Sequence, residues 1–131
     1  MKINFKLFFI LVGLTVIFSS CRTSAPRLDY QALARASVLL GIDINLEDDH
    51  KLYLEAADWI GAPYRGGGDS KRGTDCSGMV YQIYRKVYRI QVPRNTEELK
   101  NKSNKVAKRN LKEGDLVFFS SNRSRKRVAH V

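Results

Sequence analysis

The residue best suited to covalent chemistry is Cys76, in the run Thr74-Asp75-Cys76-Ser77-Gly78. A Thr or Asp directly ahead of an amphipathic stretch is typical of a helix N-cap, so Cys76 is predicted to lie in the first turn of a helix. The unpaired N–H groups and the dipole of a helix start favour a thiolate over a thiol. The same N–H groups can bind the oxyanion of a tetrahedral intermediate. We therefore predict that Cys76 is a nucleophile.

A cysteine nucleophile needs a general base, and the chain has only two histidines, His50 and His130. His50 stands among acidic residues at a predicted helix start, where a solvated residue is the simplest interpretation. His130 lies in apolar, strand-like sequence, and its position alone favours a core residue. Because catalytic Cys/His pairs are distant in sequence and close in space, the presence of Cys76 reverses that preference. We predict that His130 is the base.

Helices are predicted to carry the nucleophile and to pack behind it. Helical spacing of apolar residues indicates helices over residues 30–40, from Asp48 or Asp49 to about residue 60, and from about Thr74 onwards. Trp59 is expected in the core, with ligand stacking as the alternative. Segment 61–73 holds five of the nine glycines and is predicted to be a loop. The third helix is expected to bury Met79, Val80, Ile83 and Val87.

Strand signals replace helix signals towards the C-terminus. Residues 97–108 are polar and basic, and we interpret them as exposed surface. Residues 116–119 predict a strand, residues 120–127 a hairpin loop, and Val128 the opening of another strand. Helices followed by strands predict an α+β fold with an antiparallel sheet.

The order and spacing of several blocks across residues 52–131 resemble the NlpC-type cell-wall cysteine peptidases. The blocks are Gly61-Ala62-Pro63-Tyr64-Arg65-Gly66-Gly67-Gly68, Gly73-Thr74-Asp75-Cys76-Ser77-Gly78, Pro93-Arg94, Gly114-Asp115-Leu116-Val117-Phe118-Phe119 and His130-Val131. The resemblance implies a papain-like α+β fold, with N-terminal helices packed on an antiparallel sheet. It also implies hydrolysis of peptidoglycan stem peptides, in many members between D-glutamate and a diamino acid. It implies no metal ion and no cofactor.

Carried over by position, the resemblance assigns roles to particular residues. Cys76 becomes the nucleophile and His130 the base on the following sheet. Tyr64 corresponds to a tyrosine that positions the nucleophile and assists the oxyanion site. The substrate pocket is framed by Asp75, Ser77 and Gly78. Helix capping is the alternative role for Asp75 and Ser77.

Two positions depart from the family pattern. Gly66 stands where the family usually has an aromatic residue, which affects the shape of the pocket. A third polar residue (His, Asn or Gln) usually orients the base about a dozen residues beyond it, whereas this sequence ends at Val131. From this we expect the sheet to be incomplete in this chain, with C-terminal strands missing, and the chain itself to be catalytically poor and unstable.

The first 21 residues have the anatomy of an export signal. Lys2 and Lys6 precede an apolar run over residues 7–18, and small residues lead into Cys21. As a helix the run would extend only about 18 Å, too short for a hydrocarbon core of about 30 Å. It therefore fits a signal peptide, with a buried core helix as the alternative. Cys21 resembles the lipidated cysteine of bacterial lipoproteins, which leaves Cys76 as the remaining thiol.

We divide the chain into a signal with lipobox (1–21), a tether with a short helix (22–48) and a peptidase domain (49–131).

The chain carries a net charge of +10, and its basic residues cluster towards the C-terminus. Such clusters attract polyanions, so the competing hypothesis is a non-catalytic binding lipoprotein at the cell wall or membrane surface. Nucleic acid is not expected, because export separates the chain from it and aromatic residues do not interleave the charges. The expected partners are stem peptides and a membrane reached through the lipid anchor, with the protein a monomer. The clusters comprise Lys100, Lys102, Lys105, Lys108, Arg109 and Lys112, and Arg123, Arg125, Lys126 and Arg127.

Overall fold

The structure is a computed structural model that describes residues 28–121 and 124–131. The predicted signal and Cys21 lie outside the described residues. Helices come first and strands mostly later, as an α+β fold requires. The elements are α1 (Tyr30–Leu40), α2 (His50–Ala57), β1 (Asp69–Ser70), β2 (Gly73–Thr74), α3 (Cys76–Ile83) with a π-helical turn (Tyr84–Tyr88), α4 (Thr96–Lys102), a 3₁₀ turn (Lys108–Asn110), β3 (Phe119–Ser121) and β4 (Ser124–His130). None of these described helices has the length and apolar character needed to cross a membrane.

Side-chain caps define where the first two helices begin. Asp29 accepts a hydrogen bond from the Ala32 N–H, and α1 ends at Gly41, whose φ of 67° suits glycine. Asp49 caps α2, so the choice left open between Asp48 and Asp49 falls on Asp49. The predicted extension of this helix to about residue 60 is wrong. After Ala57 the backbone bonds shorten to the i→i−3 type, so the chain continues as a tight turn.

The helical core forms where α1 packs on α2 and α2 contacts α3. Trp59 is only 6% exposed, which confirms its place in the core. Its indole Nε1 donates to the carboxylate of Glu55, a buried acid that also contacts Lys86 and lies 3.7 Å from Lys71. Glu55 thus has ionic partners as well as the indole, as a buried carboxylate requires.

Of the four residues that the sequence predicted the third helix to bury, Val80 and Ile83 are buried, whereas Met79 and Val87 are half-buried.

The glycine-rich segment contains a small hairpin that the loop prediction missed. Strand β1 pairs antiparallel with β2, and Tyr64 forms a parallel bridge with Thr74. Thr74 therefore belongs to a strand, and the prediction that α3 begins there is wrong. Thr74 is not helical because its backbone pairs with residues 63–65: its carbonyl accepts from the Arg65 N–H at 2.8 Å, and its N–H donates to the Pro63 carbonyl at 3.0 Å.

Helix α4 begins next to residues 97–108, which the sequence predicted only to be exposed surface, and it buries one of them, Leu99. The side chain of Asn95 accepts from the N–H groups of Glu97 and Glu98, and the helix is anchored by Leu99, which is 2% exposed. One buried leucine among polar residues gives almost no helical periodicity, so the apolar pattern missed this helix. The residues that follow the helix, 103–108, are exposed as predicted.

A hairpin of β3 and β4 ends the described structure, and α4 contacts β4. The predicted strand bounds are wrong on both sides of the turn. Strand β3 begins only at Phe119, and β4 already begins at Ser124 instead of Val128. Strand β4 continues through the basic residues to Ser124, although the residues paired with β3 are Ser124, Val128 and His130, and register shifts separate these pairs. The architecture is α+β with small antiparallel sheets.

The turn before this hairpin is fixed to the second helix. Glu113 accepts the backbone N–H of Asp49 and the hydroxyl of Tyr53, each at 2.7 Å. The hydrogen bond to Glu113, together with desolvation and nearby acidic charge, raises the pKa of Tyr53 to about 12. These contacts hold the segment that leads to His130 against the helical layer.

Candidate active site

Cys76 is the first residue of α3, as the sequence predicted. It is a free, half-buried thiol. The N–H of Gly78 donates to Asp75 Oδ1 at 2.8 Å, and the first backbone bond of the helix runs from the Met79 N–H to the Asp75 carbonyl. This leaves the N–H groups of Cys76 and Ser77 without a hydrogen-bond partner among the described residues. The site therefore combines a thiol with donors suited to an oxyanion.

Arg94 holds the cap of this helix in place. Its Nη1 donates to Asp75 Oδ1 at 2.7 Å and to Ser77 Oγ at 2.9 Å, while Nη2 donates to the carbonyl of Gly68. The other carboxylate oxygen of Asp75 accepts the Gly67 N–H at 2.7 Å. One guanidinium thus ties the start of α3 to the glycine-rich loop. It also offsets the negative charge of Asp75 beside Cys76. The sequence comparison placed Arg94 in a family block but gave it no role.

The same contacts determine the ionisation of Asp75. Partial burial acts to raise the pKa of Asp75, but the hydrogen bonds from Arg94, Gly78 and Gly67 and the charge of Arg94 lower it to about 2. The carboxylate is therefore ionised throughout the neutral range. A charged cap aligned with the helix dipole stabilises the start of the helix.

The alternative of helix capping has clear support at the residues that flank Cys76. Asp75 uses both carboxylate oxygens within the protein, and Ser77, 5% exposed, accepts from Arg94 while donating to Asp75. Gly78 is buried, and a Cβ there would collide with the Gly68 carbonyl and lie 2.6 Å from Arg94 Nη2. Direct contact of Asp75, Ser77 and Gly78 with substrate stays a prediction.

We expect acid to remove the stabilisation that Asp75 provides. A carboxylate with a pKa of about 2 when folded, against an ordinary 3.8, contributes stability above pH 4 that is lost as the pH falls through about 2. The shift corresponds to about 2 kcal/mol. Urea unfolding of the protein and of Asp75→Asn, which keeps an N-cap side chain, should therefore differ most at pH 6 and converge towards pH 2.5. A difference that stays constant over this range would show that the charge of Asp75 is not what stabilises the cap.

The sulfur of Cys76 has a contact with Thr96 that the sequence did not predict. The hydroxyl Oγ1 of Thr96 is 3.7 Å from Cys76 Sγ. Thr96 is the first residue of α4, which contacts both α3 and the strand β4 that carries His130. Helix α4 thus connects the nucleophile's helix to the strand of the predicted base.

The predicted roles of Tyr64 and His130 depend on contacts with Cys76, and within residues 28–121 and 124–131 neither side chain forms a hydrogen bond with Cys76. The backbone of Tyr64 bridges Thr74, two residues before Cys76, while its side chain is 81% exposed. His130 is exposed on β4, paired with Phe119, and the two rings are 6.2 Å apart. Among the described residues no hydrogen bond joins Cys76 to His130. The Cys76–His130 pair and the role of Tyr64 stay predictions.

Comparison with known protein families identifies the fold that these elements form. The model of the NlpC/P60 family matches residues 61–131, more than half of the chain. The chain belongs to the NlpC/P60 family. The match covers the glycine-rich hairpin, the Cys76 helix, Arg94, α4 and the final hairpin, so all the predicted site residues except Cys21 lie within it.

The curated proteins to which the chain is similar are named as peptidases or as a glutamyl hydrolase. The chain is 31% identical to the "Probable endopeptidase NlpC homolog" of Haemophilus influenzae, over 89% of this chain and 76% of the relative. It is 39% identical to the "Murein DD-endopeptidase MepS/Murein LD-carboxypeptidase" of Escherichia coli, over 57% of this chain and 40% of the relative. A "Gamma-DL-glutamyl hydrolase" of Bacillus subtilis is 39% identical over 56% of this chain and 18% of the relative. The chain therefore spans less than half of the length of the latter two.

The remaining candidate groups have ordinary structural surroundings in this NlpC/P60 chain. His50, predicted to be a solvated residue, is half-buried, and its Nε2 lies 2.7 Å from the carbonyl of Asn45. No cluster of His, Cys, Asp and Glu suited to a metal ion occurs within the described ranges. The basic residues from Lys100 to Lys112 are exposed, and Lys102 pairs with Glu98 at 2.9 Å. This is the arrangement of a solvated charged face.

Proposed function

We propose that this chain is a cysteine peptidase that hydrolyses stem peptides of peptidoglycan. The observation that carries the proposal is a free, half-buried thiol at the capped start of a helix, beside unpaired N–H groups. An inert structural cysteine needs neither the helix start nor access to solvent. The names of the relatives, several of them murein endopeptidases, support the same class of substrate.

In the proposed reaction the Cys76 thiolate attacks the carbonyl carbon of the scissile amide. The negative charge moves to the carbonyl oxygen, where the N–H groups of Cys76 and Ser77, assisted by Tyr64, stabilise it. Protonated His130 donates a proton to the leaving amine, and the C–N bond breaks to leave a thioester on Cys76. Neutral His130 then takes a proton from the water that attacks the thioester, the C–S bond breaks, and the acid leaves while the Cys76 thiolate and protonated His130 are regenerated. Asp75, Ser77 and Gly78 are proposed to frame the pocket.

The bond that we propose joins γ-D-glutamate to the diamino acid. The name of the glutamyl hydrolase relative supports this choice, whereas a DD-endopeptidase would cut the cross-link instead. Incubation with uncross-linked and cross-linked muropeptides, followed by mass spectrometry, separates the two. We expect loss of the residues beyond D-glutamate from both substrates. Conversion of cross-linked dimer to intact monomers alone would overturn the choice of bond, and no cleavage of either substrate by the full-length protein would overturn the peptidase.

We also propose that the protein is exported and held at a membrane by lipid on Cys21. Several acyl chains, each contributing about 0.8 kcal/mol per buried methylene, give a firm anchor. Changing Cys21→Ser should move the protein from the membrane fraction to the soluble fraction and abolish incorporation of labelled palmitate, while Cys76→Ser should change neither. Unaltered fractionation of the Cys21 variant would show that the apolar N-terminal segment itself is the anchor.

A further inference from the structure

Within the part of the chain that the structure describes, the side-chain hydroxyl of Thr96 has one hydrogen-bonding partner, the sulfur of Cys76. A threonine at the start of a helix often uses its hydroxyl to cap the helix, but here Asn95 Oδ1 performs that task by accepting from Glu97 N–H at 2.9 Å and Glu98 N–H at 3.2 Å. Among the described residues, Oγ1 of Thr96 contacts Cys76 Sγ at 3.7 Å and nothing else with hydrogen-bonding geometry. The hydroxyl is thus available to the nucleophile.

Thr96 is also held rigidly relative to Cys76. Two residues before it, Arg94 is bonded to both Asp75 and Ser77, on either side of Cys76. Three residues after it, Leu99 is buried at 2% exposure and fixes α4. Because both flanks are anchored, the fold sets the separation of the Thr96 and Cys76 backbones, and one side-chain torsion on each residue brings the hydroxyl to the sulfur. Such fixed placement is what distinguishes a positioning group from a chance contact.

We propose that Thr96 is a positioning residue for the nucleophile, whose hydroxyl donates a hydrogen bond to the Cys76 thiolate. A thiolate has no hydrogen, so the hydroxyl must be the donor in the reactive state. A hydrogen bond to an ionised acceptor stabilises the ion and holds the sulfur in one rotamer, facing the carbonyl to be attacked. This proposal rests on the proposed function of Cys76 as a nucleophile and adds the group that orients it.

Two substitutions at this position separate the hydroxyl from the packing of the side chain. Thr96→Val keeps the shape and removes the hydroxyl, while Thr96→Ser keeps the hydroxyl and removes a methyl group. If the hydroxyl matters, the serine variant resembles the native protein and the valine variant does not. If only packing matters, the order is reversed. The charged and titratable residues on the elements that carry Cys76 and Thr96 include Asp75, Arg94, Glu97 and Glu98, with His130 on β4, which contacts α4, and neither variant alters them.

The test is the rate at which iodoacetamide modifies Cys76, read by mass spectrometry on the peptide that contains it, from pH 5 to pH 9 in the full chain. For Thr96→Val we expect a rate at pH 7 lower by about fivefold to tenfold, with the half-maximal rate reached at a higher pH. Thr96→Ser should stay within about twofold of the native rate. Thermal unfolding of each variant shows whether it is folded, and Thr96→Ala replaces the valine variant if that does not fold. Equal rates for all variants, or a serine variant as slow as the variant without a hydroxyl, would overturn the proposal.

Muropeptide hydrolysis measured on the same samples keeps the two proposals apart. Slower alkylation of Thr96→Val in a protein that cleaves no muropeptide supports the role of Thr96 and overturns the peptidase. Unchanged alkylation in a protein that cleaves muropeptides overturns the role of Thr96 alone.

Discussion

Replacing Cys76 with alanine is expected to lower the rate of stem-peptide hydrolysis by roughly 10⁴-fold to 10⁶-fold, because the variant has no atom that can form the thioester. His130→Ala should cause a loss of similar size, since the base prepares the thiolate and protonates the leaving amine. Residues that act as one unit give non-additive losses. We therefore expect the double variant to be little worse than either single variant.

His50→Ala is the matched control for this series. It removes the other histidine of the chain, whose imidazole lies against the carbonyl of Asn45, and should leave turnover within about twofold. Initial rates on one purified muropeptide, with circular dichroism to verify folding, give all the comparisons. Losses that add in the double variant would mean that His130 has a structural role and that another group is the base.

Gly78→Ala is expected to destabilise the protein by about 1–3 kcal/mol, although glycine to alanine inside a helix usually stabilises by about 0.5–1 kcal/mol. The reversal comes from the Gly68 carbonyl and from Arg94 Nη2, which lies 2.6 Å from the position of the added Cβ. The Gly68 carbonyl belongs to the backbone, so it cannot relieve the clash by a side-chain rotation. Relief requires the glycine-rich loop and Arg94 to move, which breaks the contacts that hold the start of α3.

Gly66→Ala provides the control for this prediction. It lies in the glycine-rich loop that Gly78 approaches, but a Cβ there meets nothing within 4 Å and its φ is not in the left-handed region. Urea unfolding should therefore give Gly66→Ala a stability equal to or slightly above that of the native protein. If both variants lose the same stability, glycine is needed for loop flexibility and the close approach at Gly78 is not the cause.

Local signals were enough to predict the placement of the nucleophile. An Asp before Cys76 and an amphipathic stretch after it identified a capped helix start, and the same logic placed the cap of α2 at Asp48 or Asp49, of which Asp49 is the cap. These predictions succeeded because an N-cap depends on residues three apart in the chain. Burial of Trp59 followed from its place in a periodic apolar pattern.

The contacts made by distant segments were not predictable in this way. Arg94 reaches Asp75 across 19 residues and Thr96 reaches Cys76 across 20, and no periodicity reports such separations. Helix α4 was missed because Leu99 is its single buried residue, although the Asn95 cap was a usable signal. The predicted start of the last strand was wrong because β4 includes basic residues whose polarity is typical of a loop.

The most direct test of Cys76 as the catalytic nucleophile is muropeptide hydrolysis by protein alkylated to increasing extents at this cysteine. Mass spectrometry of the peptide that contains Cys76 gives the modified fraction, and the initial rate is measured on the same sample. We predict that the rate falls in proportion to the modified fraction and that saturating muropeptide slows the alkylation. Undiminished hydrolysis by protein in which Cys76 is fully alkylated would contradict the role of this residue.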